Sequence, residues 1–284
     1  MAASLRAAVR TILPQAVSDK IFRTFLRRRA LRRVAASFPV RTVTHEYGGV
    51  RLSVSIEDPV GDAWYDCDWP LNEVGELRRR GLERGAVAFD LGAHQAVVAL
   101  VLADAVGSRG RVVAVEPERH NVRVAQRNIE LNAARNVTVV QAAVAERAGT
   151  VSFEEAFGGR IVDGGRGAVE VPSLTVDGLA AEHGQPDVVF VDVEGAEAAV
   201  LAGARETLAR GQAAWFVEVH DVRGEATERF GGTATVLQAF PPDHYELLYS
   251  SEDDHRALTF APLTGRAPDG RFFLIAAPRR AAAT

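Results

Sequence analysis

From residue 86 onward, short apolar runs alternate with longer stretches of helical period, and this alternation constrains the fold more than any other feature of the chain. The runs are predicted as strands at 86–91, 111–116, 137–142, 187–192, 214–219, 244–249 and 271–277. Helices are predicted between them at 94–105, 118–132, 174–183, 196–208 and 232–239. Strands that alternate with crossover helices build a parallel sheet covered on both faces. The expected fold is therefore α/β, a doubly wound, mostly parallel seven-stranded sheet. Strand-like pieces at 149–154 and 168–172 predict a small insertion after the third strand, with Gly158-Gly159 and Gly164-Gly165 bracketing a loop.

Ahead of that core the sequence changes character twice. Residues 4–36 are helical in pattern, with Ile21, Phe22, Phe25 and Leu26 on one side and arginines around them. Such a segment is a helical extension packing on the domain or on a second copy, an interfacial helix on anionic lipid, or an organellar presequence. Residues 42–56 alternate apolar and polar about Gly48-Gly49, a β-hairpin signature. Residues 57–69 are expected to be irregular, aromatic and acidic, and 70–84 to form a helix leading into the first core strand. The chain thus divides into a basic helical extension (1–41), a hairpin and helix (42–84) and a core domain (85–278).

Charge and cysteine usage narrow the function classes. Residues 1–41 hold ten Lys/Arg and one acid, a local charge of +9, so the rest of the chain carries −13 of the net −4. An acidic body argues against a nucleic acid partner, which needs a basic surface. The single cysteine, Cys67, excludes a disulfide within one chain and points to a reducing, cytoplasmic compartment.

The chemistry centres on Asp90-Leu91-Gly92-Ala93-His94, a strand end, a one-glycine turn and a helix start. In doubly wound sheets this loop holds a nucleotide-like cofactor. The second strand ends in Glu116-Pro117, 24 residues after Gly92, where a carboxylate can accept both ribose hydroxyls of an adenosine. A dinucleotide needs a G-x-G-x-x-G backbone for its pyrophosphate. Here His94 takes the second glycine position and no glycine follows before Gly107, which favours S-adenosylmethionine, a cofactor without phosphate.

Several spaced motifs then resemble one family, the FkbM S-adenosylmethionine-dependent methyltransferases. They are Asp90-Leu91-Gly92-Ala93-His94; Gly110-Arg111-Val112 through Glu116-Pro117 with Asn121, Asn128 and Asn132; Asp192-Val193-Glu194-Gly195-Ala196-Glu197 with Leu201 and Gly203; and Glu218-Val219-His220. The hairpin at His45-Glu46-Tyr47-Gly48 is similar to the segment that often precedes the domain, so the resemblance runs over about residues 42–277. It implies the class I, Rossmann-like methyltransferase fold. Ala96 stands where the family usually has glycine, Gln95-Ala96-Val97-Val98 replaces its usual run, and Phe190 replaces a common lysine.

On this reading Asp90, Gly92, Ala93 and His94 hold the methionine end of the cofactor, Glu116 and Pro117 the ribose, and Gln141 and Ala142 border the adenine. Asp192 ends the fourth strand and faces the sulfonium and the incoming nucleophile. Glu194 is expected to start the next helix, where the dipole favours an acid. Glu218 and His220 lie two apart on a strand and share a face. His220 is expected as general base or orienter for a hydroxyl, with a structural histidine as the alternative. Asp192, Glu218 and His220 as a metal set is the lesser reading, and no metal is expected. The expected function is methyl transfer to a hydroxyl of a small molecule, sugar or natural product, with loops 57–69 and 155–167 lining the acceptor site. The alternatives are a degenerate fold acting as a partner- or membrane-binding module through 1–41, and a nucleic-acid methyltransferase, disfavoured because [DN]-P-P-[YF] is missing after the fourth strand.

Overall fold

The computed structural model describes residues 33–34, 37–155, 159–162, 168–220, 232–252, 254–265, 268 and 270–279. The predicted helix at 4–36 lies almost wholly outside these residues. A two-stranded hairpin, β1 (Arg41–Tyr47) and β2 (Val50–Ile56), opens the described chain as its alternation predicts. It is followed by α1 (Pro59–Tyr65) and α2 (Asn72–Arg78).

The main sheet contains β3 (Val87–Leu91), β4 (Arg111–Val115), β5 (Val137–Val140), β10 (Val188–Val191), β11 (Ala214–Val219), β12 (Tyr245–Ser250), β13 (Ala261–Pro262) and β14 (Phe272–Pro278). Its order is β13-β12-β14-β11-β10-β3-β4-β5. The five strands from β11 to β5 pair in parallel, and β14 enters antiparallel between β11 and β12. Seven of these strands were expected, and the eighth, β13, is a two-residue edge addition. The insertion after β5 folds as its own four-stranded sheet from β6 (Ala143–Val144), β7 (Gly149–Glu154), β8 (Arg160–Ile161) and β9 (Val169–Leu174).

Alternate strand residues feed two cores, one on each face of the sheet. Ala88, Val112, Val188, Phe190 and Phe216 pack with the hairpin, α2 and α3 (Val97–Val106). Phe89, Val113, Val189, Trp215 and Val217 pack with α5 (Val176–His183), α6 (Glu197–Ala202), α7 (Arg205–Arg210) and α8 (Thr233–Gln238). The helix α4 (Arg119–Leu131) lies beside the hairpin and clamps it. Asn128 accepts from Ser55 N–H at 2.8 Å and donates to Gln95 C=O at 2.9 Å. Asn132 accepts from Ser53 N–H at 2.9 Å and donates to Ser53 C=O at 2.7 Å. These two asparagines satisfy backbone groups on the free edge of β2, which would otherwise be left unpaired.

Three local expectations are corrected. Residues 57–69 are not all irregular: Asp58 caps α1, accepting from Val60 and Gly61 N–H at 2.8 Å each, with Pro59 at the first helical position. The helix after β3 begins at Val97 rather than 94, because His94 and Ala96 hold left-handed backbone at φ 48° and 62°. The helix at 196–208 breaks into α6 and α7 at Gly203, where a Cβ would come within 2.4 Å of Ala145 O.

Candidate functional site

The carboxyl ends of β3, β4, β10 and β11 open into a cleft of about 1140 Å³, counting its open mouth. Strand order assigns its two sides. The β3–β4–β5 side carries Glu116, Pro117, Asn121 and Ala142, and the β10–β11 side carries Phe190, Asp192, Phe216 and Glu218. The β3 turn lies between them, with α1, α2 and the insertion sheet closing the rim.

The turn explains its own sequence. Gly92 has φ 88°, and a Cβ there would sit 1.8 Å from Asp192 O, so no other residue fits. Gly92 and Ala93 both donate backbone N–H to Val115 O, at 2.9 and 3.0 Å, which pins the turn to β4. Ala96 is fully buried in the left-handed region, the conformation for which glycine is preferred. The alanine at this position is therefore accommodated in the same turn.

Asp90 is 2% exposed, its Oδ2 has no hydrogen-bond partner among the described residues, and burial raises its pKa to about 7. Glu116 accepts from His94 N–H at 2.9 Å through Oε2 and from Glu118 N–H at 2.8 Å through Oε1. Burial pushes its pKa up to about 8 against the pull of those amides. Asn121 Nδ2 lies 3.4 Å from Glu116 Oε1, and its buried Oδ1 is unpartnered and borders the cleft. His94 Nδ1 and Tyr65 OH share a hydrogen bond at 2.8 Å, tying α1 to the turn.

On the other side of β3, His220 is enclosed by carboxylates. Its Nδ1 is 2.8 Å from Glu197 Oε1, and its Nε2 is 3.1 Å from Glu218, 3.5 Å from Glu194 and 4.0 Å from Asp192. Burial alone would lower its pKa, but the bonds to Glu197 and Glu218 win and raise it to about 11. Both ring nitrogens thus face carboxylate oxygens, which favours the protonated ring. Glu197 also accepts from Gly195 N–H at 2.9 Å, so one carboxylate fixes both the turn and the ring. Glu194 does not start the next helix: it has φ 53° and lies in the turn, and Glu197 is the acid in the first turn of α6.

Glu218 is 4% exposed and accepts from Arg271 Nε at 2.6 Å, and despite burial its bond to His220 holds its pKa below the usual range. Asp192 goes the other way: burial and the Glu218 charge raise it well above the ordinary carboxylate range, and its Oδ1 makes no hydrogen bond. Asp192, Glu218 and His220 do offer ligand atoms within 4.8 Å of one another. Glu218, however, is already neutralised by Arg271 and His220.

Of the residues expected from sequence, Asp90, Gly92, Ala93, His94, Glu116, Pro117, Ala142, Asp192 and Glu218 line the cleft together. His220 stands behind Glu218 and Asp192 rather than in the lining, and Gln141 is exposed and outside it, because β5 ends at Val140. Sequence reasoning passed over Asn121 and Glu197 as site groups, although both lie inside quoted motifs. It also passed over Glu73 and His255, for which no local motif exists.

The fit to S-adenosylmethionine rests on the donor set. The cleft offers an orphaned, buried Asp90 oxygen beside the turn, a group that can accept from a cationic amine, and Glu116 retains lone pairs for a diol. The profile of the methyltransferase FkbM domain matches residues 90–250 of this chain. The chain belongs to the FkbM methyltransferase family. Membership gives the FkbM domain here its cofactor, S-adenosylmethionine, and its class I, Rossmann-like fold. The FkbM methyltransferase structure from Methylobacillus flagellatus KT is 18% identical with a TM-score of 0.44, covering 67% of this chain and 43% of that one. The chain thus spans less than half of that structure's length. A S-adenosylmethionine-dependent O-methyltransferase from Thermotoga maritima is 14% identical with a TM-score of 0.43, covering 86% of this chain and 80% of that one. Aeropyrum pernix fibrillarin, solved with natively bound S-adenosylmethionine, is 15% identical with a TM-score of 0.41, covering 69% and 68%. Among curated proteins none matches in sequence. Among the described residues no helix is long and apolar enough to cross a membrane.

Proposed function

We propose that this protein methylates a hydroxyl oxygen of a small, uncharged acceptor. The observation that carries the reading is Asp192 Oδ1, a buried carboxylate oxygen with no hydrogen-bond partner among the described residues, just past the end of β10, between the cofactor turn and the β11 side of the cleft. When bound, S-adenosylmethionine supplies an electrophilic methyl group on a sulfonium.

The protein's own groups orient and take a proton. Asp192 Oδ1 accepts a hydrogen bond from the acceptor hydroxyl, aligning its oxygen lone pair toward the methyl carbon. Asp192 would take the hydroxyl proton as the oxygen receives the methyl group, with the methyl–sulfur bond broken and S-adenosylhomocysteine leaving. Its raised proton affinity suits that task better than an ordinary aspartate would. The imidazolium of His220, 4.0 Å from Asp192, supports the ionised form of the carboxylate, and Glu197 holds that imidazolium in place. His220 is thus a positioning residue. Six carboxyl groups in the lining (Glu73, Asp90, Glu116, Asp192, Glu194, Glu218) weigh against a polyanionic acceptor such as nucleic acid.

The test is turnover with S-adenosyl-[methyl-13C]methionine and a set of hydroxylated metabolites, read as a 13C methyl ether signal. Asp192→Asn is expected to lower kcat by roughly 10²–10⁴, the usual worth of a proton acceptor. Transfer to nitrogen alone, or full activity in the variant, would overturn the assignment.

A further inference from the structure

Helix α1 precedes the residues that match the FkbM domain, yet both of its ends are fastened to the cofactor turn. At its start the fully buried Asp58 accepts from Gln95 Nε2 at 2.6 Å and pairs with His120 Nε2 of α4 at 2.8 Å. At its end the Tyr65 hydroxyl shares the 2.8 Å hydrogen bond with His94 Nδ1. Two consecutive residues of the turn are thus gripped from opposite ends of one helix. Gln95 lies in the run where this chain departs from its family.

The turn is one that needs holding. His94 has φ 48°, a left-handed backbone that strains any residue with a Cβ, and such strain persists where the surroundings over-determine it. In that conformation its N–H donates to Glu116 Oε2 at 2.9 Å, on the carboxylate placed at the ribose. Tyr65 is itself firmly set. Its C=O accepts from the Tyr47 hydroxyl, and its ring stacks at 6.3 Å and 29° on Trp69, another residue of the cleft wall. Burial holds the Tyr65 pKa well above the usual phenol range, so the hydroxyl keeps its proton at neutral pH. Tyr65, His94 and Glu116 all line the cleft.

We infer that Tyr65 is a positioning residue of the cofactor site: by holding the His94 ring it keeps the left-handed turn in place, and with it the N–H that aims Glu116 at the ribose. The inference rests on Glu116 as the ribose acceptor and is independent of which group is methylated. Without the Tyr65 hydroxyl, the His94 side chain loses its tie to α1 and the strained backbone is freer to leave the left-handed region. Glycine at position 94 needs no such tie, because it takes φ 48° without strain. The worth of the hydroxyl should therefore vanish once the Cβ of residue 94 is removed. Neither a direct contact between the hydroxyl and the cofactor nor ordinary packing of α1 would show that dependence.

The test is isothermal titration calorimetry of S-adenosylhomocysteine on the full chain, with circular dichroism verifying the fold of each variant. Tyr65→Phe removes the hydroxyl and keeps the ring, and should bind about five- to tenfold more weakly than wild type. In a His94→Gly background the same substitution should change the affinity by less than about twofold. His94→Ala keeps the strained Cβ and loses the ring, so it should bind at least about fivefold more weakly than His94→Gly. That second pair carries the test should Tyr65→Phe fail to fold. Tyr65→Phe within about twofold of wild type, a larger loss in both backgrounds, or equal affinities of His94→Ala and His94→Gly would overturn the inference. Absence of binding by wild type would contradict the placement of the cofactor itself, on which the inference rests.

Discussion

Replacing His220 by glutamine removes one buried cation from among four carboxylates, and its consequence can be worked out group by group. Glu218 keeps Arg271 as a partner, but Glu197, 3% exposed, is left among the described residues with the Gly195 N–H. Breaking a buried ion pair from one side costs about 3–5 kcal/mol, because the remaining charge is uncompensated. In a domain of this size each kcal/mol shifts Tm by roughly 2–4 °C, so H220Q should melt roughly 6–20 °C lower at pH 7. The pH dependence has a definite sign. The folded-state pKa of about 11 lies above the unfolded value of 6.5, so the contribution of the imidazolium is complete below 6.5 and is lost as pH climbs through 11. The deficit of H220Q should therefore be largest near pH 6–7 and shrink toward pH 10. Chemical denaturation of both proteins at pH 6, 8 and 10, with circular dichroism as the readout, measures it. A deficit below about 1 kcal/mol, or one that does not change with pH, would refute the charged-histidine account.

Other substitutions follow from the same structure. Ala96→Gly relieves a left-handed residue worth about 1–2 kcal/mol but loses a buried methyl (about 0.8) and gains unfolded-chain entropy (about 0.4–1), so its stability should stay within about 1 kcal/mol of wild type in urea titrations. Ala96→Val adds bulk at a fully buried site and a β-branched side chain where φ is 62°, and should lose roughly 1–3 kcal/mol. Asn128→Ala strands the buried Ser55 N–H and should cost about 1–3 kcal/mol, with faster hydrogen exchange at Ser55 and its β2 neighbours. For methyl transfer, kcat/KM should rise with pH along a limb displaced above the ordinary aspartate range, reflecting Asp192, and Asp192→Asn should abolish that limb.

The sheet was legible because each core strand is a short apolar run bounded by a turn or helix signal, and β3, β4, β10 and β11 fall where those runs lie. The fold of the strand ends was legible too: Asp90, Glu116, Asp192 and Glu218 follow from strand register alone. What sequence could not supply was electrostatic and long-range. Glu218 and His220 were expected on one face, but the ring's protonation depends on Glu197, which reaches it from the start of α6. Trp69 lies in a segment read as irregular and Glu73 in the helix expected at 70–84, and their place in the wall depends on how α1 and α2 dock on the sheet. Gln141 was expected at the adenine because a strand through 142 would have carried it there. The strand stops at Val140, and the chain turns to start the insertion sheet.

The central claim is that S-adenosylmethionine occupies the cleft beside the Asp90–His94 turn with Glu116 at the ribose. Isothermal titration calorimetry of S-adenosylmethionine against wild type and Glu116→Ala tests it, with circular dichroism verifying that the variant is folded. One site per chain is expected in wild type, with affinity at least tenfold lower in the variant, about the loss of a hydrogen bond to a charged group. No heat of binding in wild type, or equal affinity in both proteins, would contradict the account.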